Sequence, residues 1–235
     1  MANSPTLQEI RDFKGTYPKQ LIYLFSTEMW ERFCFYGLRG MLVVFMVTQL
    51  KLGEKDAQLQ YGAIQAFTYA FTFLGGLLAD KILGFQRSLF WGATLMILGG
   101  FAIALAPQEF FCIGICFNII GNGFFKPNIS TMVGQLYPPN DRRIDGAFTI
   151  FYMGINLGAL FSPLICGGLG DTGSIFDFKW GFLAAGVGMV ISTITFELLK
   201  NKYLVDAKGG HIGMPKQKLD MKTVATILGS VALMF

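Results

Sequence analysis

The feature that most constrains this chain is a series of six apolar segments, each about 20 residues or longer, joined by short polar connections. A helix of about 20 apolar residues is long enough to cross the hydrocarbon core of a bilayer. Charged residues make up only 14% of the chain, against about 25% in a soluble domain. The sequence therefore predicts an all-α transmembrane protein and excludes a soluble globular fold. The predicted spans lie near residues 20–50, 58–79, 86–106, 110–136, 146–169 and 180–200.

The spans divide the chain into four predicted parts. A polar tail (1–19) precedes a six-helix bundle (20–200), and a polar linker (201–222) follows it. The final stretch (223–235) is apolar but contains only 13 residues, which is too short to cross a bilayer. We expect this stretch to begin a further transmembrane helix of a longer protein, with the sequence ending inside that helix.

The basic residues are distributed unevenly between alternate connections. The tail and the second, fourth and sixth connections together hold thirteen Lys and Arg residues, whereas the opposite set holds three. Cytoplasmic segments of membrane proteins carry the excess of basic residues. The sequence therefore predicts a multi-pass protein whose N-terminus and linker are cytoplasmic.

The first predicted span carries charges that a lipid-facing helix does not tolerate. In the stretch EMWERFCFYGLR, four ionisable residues fall within an arc of roughly 100° on a helix. They are Glu28, Glu31, Arg32 and Arg39. Four unpaired charges at the bilayer centre would cost on the order of 10 kcal/mol, so we expect the stripe to line a hydrated cavity inside the bundle. The alternative is a purely structural ion-pair cluster that fixes helix packing.

Further polar residues lie on other predicted spans. In NIIGNGFFKPN, Asn118, Asn122 and Lys126 follow one another at intervals of four residues and share a helix face. In FYMGINLGAL, Asn156 lies among small residues that permit close helix approach, and by itself it is equally compatible with an interhelical hydrogen bond. Lys126 is a fifth intramembrane charge, and such charges usually mark a transport pathway or a proton relay.

The remaining reactive side chains indicate neither a metal site nor catalysis. All four cysteines lie in apolar stretches without a histidine or carboxylate at ligand spacing, so we expect buried thiols. No paired His and carboxylate motif, activated nucleophile or phosphate-binding loop is present. The sequence thus predicts a protein that is not an enzyme, with no cofactor, metal or nucleic-acid partner. An intramembrane enzyme, a channel and a receptor are the alternatives.

Four motifs resemble those of the proton-coupled oligopeptide transporters, a family of the major facilitator superfamily. Glu28 to Arg39 resembles the first-helix signature, with Phe35 where the family often has a tyrosine. GGLLADKILGFQR (75–87) resembles the superfamily loop after the second helix. GFFKPN resembles the fourth-helix signature, and FTIFYMGINLGAL (148–160) resembles the fifth. The resemblance covers nearly all of the chain and implies the N-terminal six-helix bundle of a bacterial-type member.

This resemblance implies symport of protons with di- and tripeptides across the bacterial cytoplasmic membrane by alternating access. A related transporter of nitrate, an amino acid or a drug-like compound is the alternative. The implied partners are the peptide, protons, the lipid bilayer and a C-terminal helical half that contains an acidic partner for Arg39. Residues 223–235 then begin either an inserted linker helix or the seventh core helix.

The resemblance also implies roles for individual residues. Proton coupling is assigned to Glu28, Glu31 and Arg32, and a gating salt bridge is assigned to Arg39. The implied substrate-binding residues are Arg32, Tyr36, Tyr69, Lys126 and Asn156.

Overall fold

The structure, a computed structural model, describes residues 17–137, 140–170, 178–204 and 211–214. Within these ranges the chain forms six long α-helices, as the sequence predicts, and the all-α fold class is confirmed. The helices are α1 (Lys19–Thr48), α2 (Glu54–Leu78), α3 (Phe85–Leu105), α4 (Phe111–Gln135), α5 (Arg143–Gly170) and α6 (Lys179–Tyr203).

The predicted terminal parts fall largely outside the described residues. Only the last three residues of the predicted tail (1–19) are described, and none of the predicted further helix (223–235). Of the predicted linker, the structure describes 201–204 and 211–214. The division of the chain into four parts therefore stays a prediction.

Four of the described helices are long and apolar enough to cross a membrane. They are α2 together with its extension to Leu83, α3, α5 and the Lys179–Leu198 portion of α6. The other two, α1 and α4, have sufficient length, with 30 and 25 residues, but they are not among the four. These are the two helices that carry the predicted intramembrane charges. The intramembrane charges thus lie on α1 and α4, the two helices that are least suited to contact lipid directly.

The connection between α2 and α3 differs from the sequence prediction. The stretch DKILGFQR was predicted to be a loop, but α2 continues as a π-helical turn over Ala79–Leu83. The turn is closed by the Gly84 amide, which donates to the Ala79 carbonyl oxygen at 2.9 Å. Burial of the Ala79 and Ile82 side chains explains why the chain stays helical here. Gly84 then turns the chain into α3 with φ of 76°, in the left-handed region that favours glycine.

A short segment after α6 packs against the first turn of α3. The Gln86 amide donates to the Gly213 carbonyl oxygen at 3.0 Å, and the Gln86 side-chain amide donates to the Ile212 carbonyl oxygen at 2.5 Å. The first amides of a helix lack partners within the helix, so this segment supplies one. Ile212 is buried, and Gly213 has φ of 77°. The segment 211–214 is thereby fixed to the connection between α2 and α3.

The start of α5 is fixed by a local ion pair. The Asp141 carboxylate accepts a hydrogen bond from the Arg143 backbone amide at 2.9 Å and another from the Arg143 guanidinium at 2.5 Å. These bonds stabilise the ionised carboxylate and hold the pKa of Asp141 below its ordinary value. Asp141 thus accepts from the backbone at the point where α5 begins.

The helices pack in a defined pattern of neighbours. Helix α1 lies along α5 and α6, α3 lies against α4 and α6, and α2 packs on α4. At one end of the bundle, the buried Phe45 ring on α1 contacts three other aromatic rings, with centroids 5.2 to 5.9 Å apart. These rings belong to Phe111, Phe178 and Phe182. Aromatic contacts of this kind join α1, α4 and α6.

Glycines allow two of these helix pairs to approach closely. A Cβ atom on Gly75 of α2 would collide with the carbonyl oxygen of Gly123 on α4. A Cβ atom on Gly158 of α5 would lie 2.9 Å from the Cβ of Arg32 on α1 and would collide with the Met29 carbonyl oxygen. Small residues at helix crossings bring the backbones together. The crossing at Gly158 therefore places α5 directly over the charged part of α1.

Replacement of Gly75 by alanine is expected to destabilise the bundle by about 1–3 kcal/mol, because the added methyl group has no space beside the Gly123 backbone. Thermal unfolding of the purified protein in detergent measures the effect. Gly62→Ala is the matched control, because Gly62 lies on the same helix and no heavy atom lies within 4 Å of the added Cβ. Equal melting temperatures for the two variants would contradict the close crossing of α2 and α4.

Candidate functional site

The charged stripe of α1 forms a buried ion-pair cluster. The Arg32 Nε atom is 3.1 Å from Glu28 Oε1 and also contacts Glu31 Oε2. All three side chains are at most 2% exposed. Glu28 and Arg32 lie four residues apart, so the helix places them on one face. Burial strengthens their attraction, because little water is present to screen it.

Helix α4 contributes two further side chains to this cluster. The Asn122 side-chain amide donates to Glu31 Oε1 at 2.9 Å, and Asn122 is 1% exposed. Lys126 lies one turn further along α4 and is close enough to Glu28, Glu31 and Arg32 for their charges to interact. The cluster therefore combines two carboxylates with two cations contributed by different helices.

Three buried polar atoms of the cluster have no hydrogen-bond partner among the described residues. They are Glu28 Oε2, Arg32 Nη2 and Asn122 Oδ1. Nearly all buried polar groups in proteins are hydrogen-bonded, and leaving one unpaired costs about 1–3 kcal/mol. The cluster thus keeps the capacity to accept a proton on a carboxylate and to donate to an anionic group from the guanidinium.

Arg39 lies two turns beyond the buried cluster on α1 and has a separate partner. Its Nε atom donates to the Tyr61 hydroxyl oxygen on α2 at 2.5 Å. Its guanidinium carbon lies 5.7 Å from the centroid of the Tyr61 ring, a cation–π contact. Arg39 is partly exposed, and its charge interacts with Tyr36 and Tyr69.

The remaining predicted residues lie on a more exposed surface. The Lys126 ammonium is 5.1 Å from the centroid of the Tyr69 ring, and Tyr69 is 57% exposed. Tyr36 and Lys126 are partly exposed, and Asn156 on α5 is exposed. The described helices therefore do not enclose the Asn156 side chain.

The expectation that the stripe lines a hydrated cavity was wrong for three of its four residues. Glu28, Glu31 and Arg32 are buried, and only Arg39 is partly exposed. The physical reason is mutual pairing. One guanidinium between two carboxylates, with an added bond from Asn122, offsets enough of the desolvation cost for the bundle to enclose the charges.

The cysteines divide into two pairs. Cys34 and Cys166 are buried as predicted, but Cys112 and Cys116 are exposed, and the prediction was wrong for them. They lie on a face of α4 that points out of the described bundle, where a thiol is tolerated as a small apolar group. In the described ranges, no three His, Cys, Asp or Glu side chains lie close enough to share a metal ion.

Two residues that contact the predicted site were not assigned to it from the sequence. Asn122 had a visible signal, because it shares a helix face with Lys126. Tyr61 had only a weak signal as a polar aromatic residue on the same span as Tyr69. The sequence does not show that α4 and α2 pack beside α1, and this information is needed to assign both residues to the site.

Comparison with known proteins identifies relatives of the chain. A family model described as the POT family (PTR2) matches residues 86–219. The peptide transporter YePEPT of Yersinia enterocolitica subsp. palearctica serotype O:3 (strain YE-P4) is 42% identical over 194 residues, which cover 79% of this chain and 37% of the relative. Dipeptide and tripeptide permease A of Enterobacter sp. (strain 638) is 34% identical over 238 residues, which cover 98% of this chain and 45% of the relative.

Solved structures show the same likeness. A crystal structure of a POT family transporter in complex with a thioalcohol-conjugated peptide is 34% identical, with a TM-score of 0.83 over 97% of this chain and 48% of that chain. A POT family transporter in complex with 5-aminolevulinic acid is 35% identical, with a TM-score of 0.83 over 98% of this chain and 48% of that chain. The chain thus spans less than half the length of these relatives. Because the family model matches more than half of its residues, the chain belongs to the POT family.

Proposed function

We propose that this chain supplies the N-terminal half of a symporter that couples protons to di- and tripeptide uptake across the bacterial cytoplasmic membrane. The observation that carries the proposal is the buried pairing of Arg32 with Glu28 and Glu31 beside Lys126. Two relatives, each more than twice as long as this chain, are named as a peptide transporter and as a dipeptide and tripeptide permease. The excess of basic residues in the tail and linker supports a cytoplasmic N-terminus.

Peptide binding is assigned to the two cations and the exposed polar side chains. Arg32 has one buried guanidinium nitrogen without a partner in the described part of the chain, and Lys126 is partly exposed beside the Tyr69 ring. Together the two cations can bind the C-terminal carboxylate of a peptide. A guanidinium donates two parallel hydrogen bonds to a carboxylate, and an ammonium attracts it as a point charge. The remaining contacts with the peptide fall to Tyr36, Tyr69 and Asn156.

Proton coupling is assigned to Glu28 and Glu31. Two carboxylates that share one arginine resist simultaneous ionisation once the arginine is drawn away, so one of them gains affinity for a proton. Protonation of either carboxylate in turn frees part of Arg32 for the substrate. The resulting coupling between proton and peptide binding is reciprocal, as thermodynamics requires.

Gating is assigned to Arg39. We infer that this guanidinium pairs with an acidic residue of the second helical half in one state of the transport cycle. The Tyr61 hydroxyl and ring hold Arg39 when that partner is distant. Alternation between these partners accompanies the rocking of one half against the other.

A second candidate substrate class is a small non-peptide zwitterion. One similar POT family transporter has been crystallised with 5-aminolevulinic acid, which carries an amino group and a carboxylate like a peptide. The same Arg32 and Lys126 arrangement serves this substrate equally well. Competition of unlabelled dipeptides, tripeptides and amino acids against labelled peptide, with the complete protein in liposomes, separates the two classes.

Glu31→Gln is expected to abolish peptide uptake driven by a proton gradient while sparing counterflow exchange of peptide, because the variant cannot release a proton but keeps the shape of the side chain. Liposome assays of both activities with the complete protein test this. Glu54→Gln is the control, because Glu54 is exposed at the start of α2. Undiminished gradient-driven uptake by Glu31→Gln would reject the role of Glu31.

Lys126→Ala is expected to weaken peptide binding by roughly 10- to 100-fold, the loss that follows removal of one charge-assisted hydrogen bond. Equilibrium binding of a labelled dipeptide measures this directly. The matched control is Lys55→Ala, since Lys55 is an exposed lysine remote from the cluster. A folded Lys126→Ala protein with unchanged affinity would show that the carboxylate is held elsewhere.

Tyr61→Phe is expected to change the rate of exchange between inward-open and outward-open states by about three- to tenfold, since it removes one hydrogen bond from Arg39. Peptide affinity should stay the same, because Tyr61 does not contact the buried cluster. Single-molecule distance measurements between the two halves of the complete protein report the rate. Identical rates, or a loss of affinity instead, would contradict the gating assignment.

A further inference from the structure

Asn122 is a buried polar residue that has no role in the transport cycle proposed above. It lies on α4, is 1% exposed, and donates through Nδ2 to Glu31 Oε1 on α1 at 2.9 Å. Its Oδ1 atom is buried and has no partner among the described residues. The side chain therefore joins two helices with one half of its amide and keeps the other half unused.

The surroundings of Glu31 explain why the unused half matters. Glu31 Oε2 is taken by Arg32, and Oε1 is taken by the Asn122 donor. An ionised carboxylate accepts both bonds. A protonated Oε1, by contrast, needs an acceptor, and the donor hydrogens of Asn122 would then face the new proton.

Among the described titratable groups near Glu31, Glu28 is the one that competes with Asn122 as an acceptor. Arg32 and Lys126 are donors only, and the neutral Cys34 thiol, which lies near Glu31, is a weak partner. Glu28 contacts Arg32 through Oε1, and its Oε2 has no hydrogen-bond partner among the described residues. The charged groups described on α5 and α6 lie at or near the helix ends: Arg143, Asp145, Lys179, Glu197 and Lys200.

We propose that Asn122 is a positioning residue that follows the protonation state of Glu31. With Glu31 ionised, Asn122 Nδ2 donates to Oε1. With Glu31 protonated, the side-chain amide rotates by about 180° and Oδ1 accepts a hydrogen bond from the carboxyl O–H. This exchange is possible because the donor and acceptor ends of an amide have nearly equal shape. This inference rests on the proposed proton-coupled transport and adds a link from the carboxylate of α1 to α4.

The link has a consequence for substrate binding. Lys126 lies one turn beyond Asn122 on the same helix face. A change in the bond between Asn122 and Glu31 therefore acts on the part of α4 that carries the proposed peptide-binding lysine. The proposal gives Asn122 no direct contact with the peptide and no proton of its own to release. Its effect on transport therefore passes through Glu31.

The test is the pH dependence of peptide uptake by the complete protein in liposomes. Asn122→Leu preserves size but removes the donor that stabilises ionised Glu31, so Glu31 stays protonated to higher pH. The midpoint of the pH profile is expected to move upward by about one pH unit, because the bond lost to the ionised carboxylate is stronger than the bond lost to the protonated one. Asn122→Thr retains one atom that both donates and accepts, and it is expected to return the midpoint toward the wild-type value.

Asn128→Leu is the matched control. Asn128 lies on the same helix and is equally buried, but its side-chain amide donates to the Phe124 carbonyl oxygen of its own helix. The midpoint of the pH profile of Asn128→Leu should match that of the wild type, even if the substitution lowers the melting temperature. An equal shift in Asn128→Leu, or no shift in Asn122→Leu, would overturn the inference.

A second variant covers the case in which Asn122→Leu does not fold. Asn122→Asp preserves both size and polarity, removes the donor, and adds a third carboxyl group to Glu28 and Glu31, so it should also move the midpoint upward. An unchanged midpoint in Asn122→Asp overturns the role of Asn122 while leaving proton-coupled transport intact. Wild-type uptake that does not respond to pH would instead overturn the proposed function and this inference together.

Discussion

The rest of the structure depends on the placement of one arginine between two glutamates. Arg32 contacts Glu28 and Glu31 inside the bundle, where isolated charges would be prohibitively costly. The absence of a side chain at Gly158 lets α5 cross α1 closely, over the backbone that carries these charges. Helix α1 therefore belongs to a membrane bundle although its composition alone does not mark it as a span.

The pairing is incomplete, and this incompleteness gives the cluster its chemical capacity. A fully satisfied network would act only as a structural lock. Here an oxygen of Glu28 and a nitrogen of Arg32 lack partners among the described residues, and Lys126 interacts with both charge types from the opposing helix. In the proposed cycle, the two glutamates and a carboxylate ligand compete for Arg32, so protonation of a glutamate favours binding of the ligand. The glycine crossing at Gly75 fixes α4 in position for this competition.

The sequence predicts the helices well because each depends on local properties. The apolar segments predict the positions of six helices, and the helical repeat places the charges of α1 on one face. Contacts between helices depend on the packing of the whole bundle, so the bond of Asn122 to Glu31 and that of Arg39 to Tyr61 could not be predicted. For the same reason the sequence predicted hydration where the structure shows pairing. The π-helical end of α2 also escaped prediction, because its Asp80-Lys81 pair is typical of a loop.

The central claim is that peptide binding and proton binding are linked through this cluster. Calorimetric titration of the complete protein with a dipeptide, repeated in buffers of different ionisation enthalpy, measures the protons exchanged on binding. The account predicts uptake of up to about one proton per peptide, varying with pH, and its loss in Glu31→Gln. Tight peptide binding without any proton exchange across the pH range would contradict it.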